Sequence, residues 1–148
     1  MTGFTLVELI MVLILLGILS LFVIPRFFDR GTFDARSLGD EAQGMMRYAQ
    51  KLAVARNSNI YICVGSNEIK LGIQNNCDPA VLMSSGKPAT LSHSDVSISP
   101  VMSFYFDGLG KPFNTASTAD LATTQFNLTI GGVTQSFYIE KETGYVHQ

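Results

Sequence analysis

The sequence predicts an α+β fold: a long N-terminal helix, apolar in its first half and amphipathic in its second, packed on a C-terminal antiparallel β-sheet. Three observations predict it. From Phe4 to Ile24 only Thr5, Glu8, Gly17 and Ser20 interrupt the apolar side chains. From Leu38 to Ala53 the apolar residues recur at helical spacing. From Gln125 onward the chain reads as β-prone runs split by turn residues.

The apolar run has 21 residues, which at about 1.5 Å each reach about 31 Å, one bilayer core. Hydrophobicity on all sides over that length exceeds what a buried soluble helix needs. A cleaved secretory signal fits poorly, because it wants a basic start, a shorter apolar core and small residues at the cut. Here the run ends in the bulky "LFVIPRFF". A retained anchor over residues 4–25 is therefore expected. Glu8 is its one carboxylate. An unpaired acid in hydrocarbon costs several kcal/mol, and a place in the first helical turn lowers that cost. An interfacial glutamate without a role is the plainer reading.

Pro25 lacks an amide donor and crowds the preceding turn, so a kink or break is expected there. "DRGTFD", Asp29 to Asp34, reads as a weak spot. Leu38, Ala42, Met45, Ala49, Leu52 and Ala53 then line one helical face, with Asp40, Glu41, Arg47 and Lys51 on others. The pair Met45-Met46 reads as core filler. The expected whole is one long helix from about Thr5 to Arg56, bent or loosened near Pro25 and Gly31, with residues 26–58 as its amphipathic half.

Residues 59–148 form the expected β-rich domain. Asn59–Gly65 and Glu68–Ile73 read as short strands joined by a turn. Asn75–Pro79 is loop, and Ala80–Asp95 is ambiguous. Val96–Phe106 reads as one strand broken at Pro100. Asp107–Asn114 reads as a turn-rich loop and Thr115–Gln125 as polar and exposed. Gln125–Ile130, the Gly131-Gly132 turn and Val133–Glu140 make a hairpin, with a short last strand from Tyr145.

The 148 residues carry a net charge of −2 with 15% charged residues, which gives no general reason to expect nucleic acid as a partner. Lys70, Lys87, Lys111 and Lys141 are widely spaced, and DNA binding would need a basic stripe with exposed aromatics. Cys63 and Cys77 form an isolated pair downstream of the anchor. In a chain facing an oxidising compartment they predict one disulfide, the other reading being two separate buried thiols. A bridge over this loop would stabilise by about 3 kcal/mol through the unfolded chain. No metal site and no cofactor are expected, since two Cys and the scattered His93 and His147 make no ligand cluster. Gly108-Leu109-Gly110-Lys111 lacks the spacing of a phosphate loop and reads as a turn. Asp107 and Asp120 sit in no carboxylate-dense calcium loop. Asn127-Leu128-Thr129 fits a glycosylation sequon, a match that chance often supplies. Ser84, Ser85 and Ser92 near His93 form no nucleophile arrangement. No catalytic residues are expected.

Gly3-Phe4-Thr5-Leu6-Val7-Glu8 followed by a long apolar helix resembles the type IV pilin signature, shared by pilins and the pseudopilins of type II secretion. The resemblance implies a leader of residues 1–3, cut between Gly3 and Phe4 by the prepilin peptidase, which also N-methylates Phe4. Glu8 stands at the family's glutamate, and Pro25 where the family often has a kinking proline. The implied role of Glu8 is assembly: paired in a filament with the cationic Phe4 amine of a neighbour, each charge relieves the other. The leader Met1-Thr2-Gly3 departs from the pattern in having no Lys or Arg. Arg26, Arg30 and Arg36 follow the apolar run, so flanking charge alone would orient the domain oppositely to the family. Phe104–Gly108, Phe126–Ile130 and Phe137–Val146 with Gly144 resemble the minor pilin or H-type pseudopilin branch, including the minor pilin of a mannose-sensitive haemagglutinin pilus. The implied partners are other pilin or pseudopilin subunits, the prepilin peptidase, the inner membrane and an assembly platform. The implied function is to initiate or cap a type IV pilus or a type II secretion pseudopilus, with the β-rich domain in the periplasm. The alternative is a binding module at a filament tip, for DNA or a surface.

Overall fold

The computed structural model describes residues 5–23, 30–117 and 119–148. Among the described residues two helices precede nine strands: α1 (Leu6–Val23), α2 (Arg30–Arg56), β1 (Ile60–Val64), β2 (Glu68–Gly72), β3 (Thr90–Ser92), β4 (Val96–Ser99), β5 (Met102–Phe106), β6 (Pro112–Asn114), β7 (Thr124–Ile130), β8 (Val133–Ile139) and β9 (Val146–His147). The expected fold class holds, with the sheet divided in two. One sheet runs β3-β2-β1-β5-β6 and the other β4-β7-β8-β9, and each named strand pairing is antiparallel.

Helix α2 holds the two sheets together. Ala35, Ala42, Met45, Met46, Ala49 and Ala53 are buried along one side, as their helical spacing requires. Most are small, so the helix lies close to the strands, and the Gln135 side chain of β8 packs directly over Gly39. The same helix touches β1, β2 and β5 of one sheet and β7, β8 and β9 of the other. Aromatic rings close the seam beneath it. Phe104 of β5 meets Phe126 of β7 with centroids 5.9 Å apart, and Phe126 stacks on Phe137 of β8 at 5.4 Å. All three are fully buried.

Four local expectations are corrected. The weak spot at Asp29–Asp34 is helical from Arg30 onward; Pro25 and the expected bend lie outside the described residues. Val96–Phe106 is not one broken strand. β4 pairs with β7 and β5 with β1, so the chain changes sheet at Pro100-Val101. The alternation Val96/Ile98 and Phe104/Phe106 is the same in both pieces, which concealed the change. Asp107–Asn114 contains strand β6, with Tyr105 opposite Phe113. Its turn is shaped by Asp107, whose carboxylate accepts from the amides of Leu109 and Lys111 at 2.9 Å each. Two amides of the Gly-Leu-Gly-Lys string are therefore already bound to an acid. Finally, Thr115–Gln125 is not wholly exposed, since Leu121 is buried.

The clearest sequence expectation is met. β7 and β8 pair from Thr124↔Ile139 to Ile130↔Val133, and Gly131 and Gly132 turn with φ of 57° and 81°, angles open to glycine at low cost. Cys63 and Cys77 are joined in a disulfide with Cα atoms 6.1 Å apart, which ties β1 to the loop after β2.

The last residues are held by side chains from α2. Arg47 donates from Nε and Nη2 to the Val146 carbonyl at 3.1 and 3.0 Å. Gln50 Nε2 donates to the carbonyls of Gly110 and Thr143 at 3.0 and 2.7 Å. Between those two carbonyls sits Gly144, at φ 64°. A Cβ there would strike the Gly110 carbonyl oxygen. Gly144→Ala is expected to cost about 2–3 kcal/mol from the φ strain and the collision, read as a lower unfolding midpoint of the full chain in detergent.

His147 is not a bare surface histidine. Its ring stacks with Tyr138 and with Tyr145, at 5.6 and 5.5 Å, and its Nε2 lies 2.9 Å from Glu140 Oε1. The hydrogen bond to Glu140, then one to the Gln148 carbonyl, raises His147 above its ordinary 6.5. The hydrogen bond from His147, then one from Thr123, lowers Glu140 below its ordinary 4.5. The histidine's contribution is full below about pH 6.5 and is lost as pH rises through its raised value. The glutamate's is full above about pH 4.5 and is lost as pH falls through its lowered value. Strand β9 should thus be held most firmly between those two values. Hydrogen exchange of residues 141–148, corrected for intrinsic rate, should show protection falling above that window. His147→Gln should remove the fall.

Candidate assembly surface

Helix α1 presents apolar side chains on every side. Twelve large ones from Leu6 to Leu19 are exposed, between 43% at Val12 and 74% at Leu6. Fully covering an exposed side chain of this kind contributes about 1.5–3 kcal/mol, and at little more than half exposure the twelve together represent about 10–20 kcal/mol. That is as large as the roughly 5–15 kcal/mol that holds a whole domain folded. Water is therefore a poor surrounding for α1, and its natural surroundings are lipid, other apolar helices or both.

The polar side chains in α1 are satisfied within the helix. Ser20 Oγ donates to the Gly17 carbonyl at 2.8 Å. Thr5 and Glu8 form a reciprocal cap: the Thr5 amide and hydroxyl donate to Glu8 Oε2 at 3.4 and 3.2 Å, and the Glu8 amide donates to Thr5 Oγ1 at 3.3 Å. This is a capping box, with the carboxylate at the positive end of the helix. It gives Glu8 a partner inside its own chain, which the sequence reading missed. The signal was present as Thr5-x-x-Glu8 ahead of an apolar run.

Gly3, Phe4 and Pro25 lie outside the described residues, so the implied cleavage point, the Phe4 amine and the kink are not placed. Among the described residues no helix is long and apolar enough to cross a membrane. The described α1 has 18 residues, about 27 Å of helix, and both ends of the 21-residue apolar run fall outside it. Among the described residues no three His, Cys, Asp or Glu gather so as to hold a metal ion.

Beyond α1, three surface lysines pair with acids nearby. Lys111 Nζ lies 2.9 Å from Asp120 and 3.3 Å from Glu142, and these carboxylates, Asp120 first, raise its pKa. Lys70 pairs with Glu68 at 2.8 Å and Lys141 with Glu142 at 3.5 Å. Three of the four lysines weighed for DNA are thus partly neutralised by acids of their own chain. Tyr61, Tyr105 and Phe113 form a row across β1, β5 and β6, with centroids 5.2 and 5.5 Å apart. Lys111 stands over the Phe113 ring at 5.7 Å.

No protein-family model matches the chain, and no curated protein matches it. Two solved structures of the type IV minor pilin FimU of Pseudomonas aeruginosa (strain PAO1) resemble it. One has a TM-score of 0.54 at 18% identity, covering 82% of this chain and 90% of that one. The other has a TM-score of 0.52 at 18% identity, covering 76% and 90%. In fold, the chain is similar to a type IV minor pilin.

Proposed function

We propose that the chain is a minor pilin-like subunit, assembled into a type IV filament through its N-terminal helix. The observation that carries this reading is α1 itself, apolar on every side and capped at Thr5–Glu8, preceding a domain whose fold is similar to a minor pilin. In this reading residues 1–3 are a leader removed by the prepilin peptidase and Phe4 is N-methylated. Residues 4–25 lie first in the inner membrane and then in the filament core. Residues 26–58 join them to the periplasmic domain of residues 59–148. The chain helps to initiate or cap a pilus.

Glu8 then has two tasks. A carboxylate offers about four acceptor sites, so holding Thr5 leaves capacity for the Phe4 amine of a neighbouring subunit. Within one chain the cap orients the carboxylate; between chains the ion pair would set the docking register.

The test is intact mass and N-terminal sequencing of the protein from its native membrane. The expected result is a mature N-methyl-phenylalanine at Phe4. A chain still starting at Met1, or cut between Phe22 and Phe28, overturns the reading. Glu8→Val should be processed normally yet enter filaments at least about tenfold less, because one buried charge is left alone. Deleting the chain should abolish piliation; loss of exoprotein secretion with intact pili would instead place it in a secretion pseudopilus.

A further inference from the structure

Helix α2 also has an outer side, and it carries one large aromatic. Phe33 is 74% exposed. At 3.6 residues per turn, Phe33, Asp40, Gly44 and Lys51 fall within about 20° of one line along the helix. Phe33 is a projection on that line and Gly44 a gap, with nothing within 4 Å of the place a Cβ would take. Beside the gap lies a groove of about 430 Å³ lined by Glu41, Gly44, Met45, Tyr48, Met83 and Ser84. Its wall is fixed where the Tyr48 hydroxyl donates to the Leu82 carbonyl at 3.3 Å. The thioethers and the tyrosine suit an aromatic guest.

The spacing identifies the guest. Phe33 and Gly44 are 11 residues apart, and so are Asp40 and Lys51. Eleven residues make about three turns and about 16.5 Å of helix. A second copy laid parallel, turned half a revolution about its helix axis so that the two lines face, and slid by that length sets its Phe33 over Gly44. The same slide brings Asp40 opposite Lys51. Among the described residues neither of these charges is in an ion pair within its own chain. The slide also sets Arg36 opposite Arg47, but the Arg47 guanidinium is drawn onto the Val146 carbonyl and Gln43.

We propose that Phe33 of one copy docks into the groove at Gly44 of a second copy, with Asp40 and Lys51 paired at its rim. The helices are parallel and staggered by 11 residues. Both patches lie on one line of the helix, so the two copies meet face to face and the contact joins a pair. It rests on the filament reading, which supplies the parallel orientation, and it requires at least two copies side by side.

The test uses the full chain in its native membrane and filaments, with a photoreactive benzoyl-phenylalanine replacing Phe33. Mixed isotope labelling identifies crosslinks between copies. The expected crosslink joins position 33 to Gly44–Tyr48 or Met83–Ser84 of a second copy. Gly44→Leu should cut its yield about tenfold, the equivalent of about 1.4 kcal/mol. Leucine favours helix over glycine, so circular dichroism should show the fold retained. Asp40→Lys should lower the yield, and adding Lys51→Asp should restore it. Mature filaments in which position 33 crosslinks elsewhere, or to another protein alone, overturn the docking. So does an undiminished yield in Gly44→Leu. An unprocessed Met1 overturns the filament reading separately, since processing at Gly3–Phe4 does not depend on Phe33.

Discussion

The close approach of α2 to both sheets organises the rest of the domain. It depends on small side chains, Ala35, Gly39, Ala42, Ala49 and Ala53, that let strands lie against the helix backbone. Larger residues along that side would lift the helix and open the seam where Phe104 meets Phe126. Among the described residues no strand pairing crosses that seam, so helix and aromatic packing join the sheets in place of a hydrogen-bonded ladder. The polar row Gln43, Arg47 and Gln50 works from the same helix. Its donors reach the carbonyls of Gly110, in the turn between β5 and β6, and of Thr143 and Val146, before and in two-residue β9. These side-chain bonds tie the C-terminal segment to α2, so the position of α2 also sets the position of that segment.

The two helices meet their burial requirement in opposite ways. Helix α2 has one apolar side and one polar side, and its own chain covers the apolar one. Helix α1 has no polar side, so no single sheet could cover it. Whatever surrounds it must do so from all directions, as lipid or a bundle of like helices does. The internal bonding of Thr5, Glu8 and Ser20 fits such surroundings, because polar groups that satisfy each other no longer require water.

Legibility in the sequence followed the length and contrast of the local pattern. The α2 stripe and the β7–β8 hairpin were readable because each signal repeats, in period 3.6 or in period 2 around a diglycine. The Cys63–Cys77 bridge was readable because there were two cysteines and one way to pair them. The sheet change at Pro100 was not readable. A proline explains a break, yet pairing partners are set by distant residues: β4 finds Asn127–Ile130 and β5 finds Ile60–Val64. Strand β6 was hidden for a similar reason. Pro112 and its glycine neighbours indicate a turn, while the strand exists because Phe113 lies opposite Tyr105. The partners of His147 were hidden because neither Glu140 nor Tyr138 is adjacent in the chain; the β8–β9 pairing brings them together. On α1 the lone acid was noticed and its cap was not, though the capping spacing was in plain view.

That cap changes the energetics of Glu8 without completing them. A helix cap contributes about 1 kcal/mol, whereas an uncompensated carboxylate in an apolar medium costs several times that. Thr5 can therefore orient the carboxylate and offset part of its cost, but it cannot supply a counter-charge. Two circumstances remove the rest: a place at the edge of the apolar layer, or a cation from another chain. The first suits a lone subunit in a bilayer, with the first turn near the headgroups. The second suits a subunit packed among neighbours, away from water. An acid with an internal cap is stable enough to wait in the first setting and still unneutralised enough to favour the second. In the filament proposed above, the residue that looks misplaced in an anchor would thus be one whose energy changes on assembly.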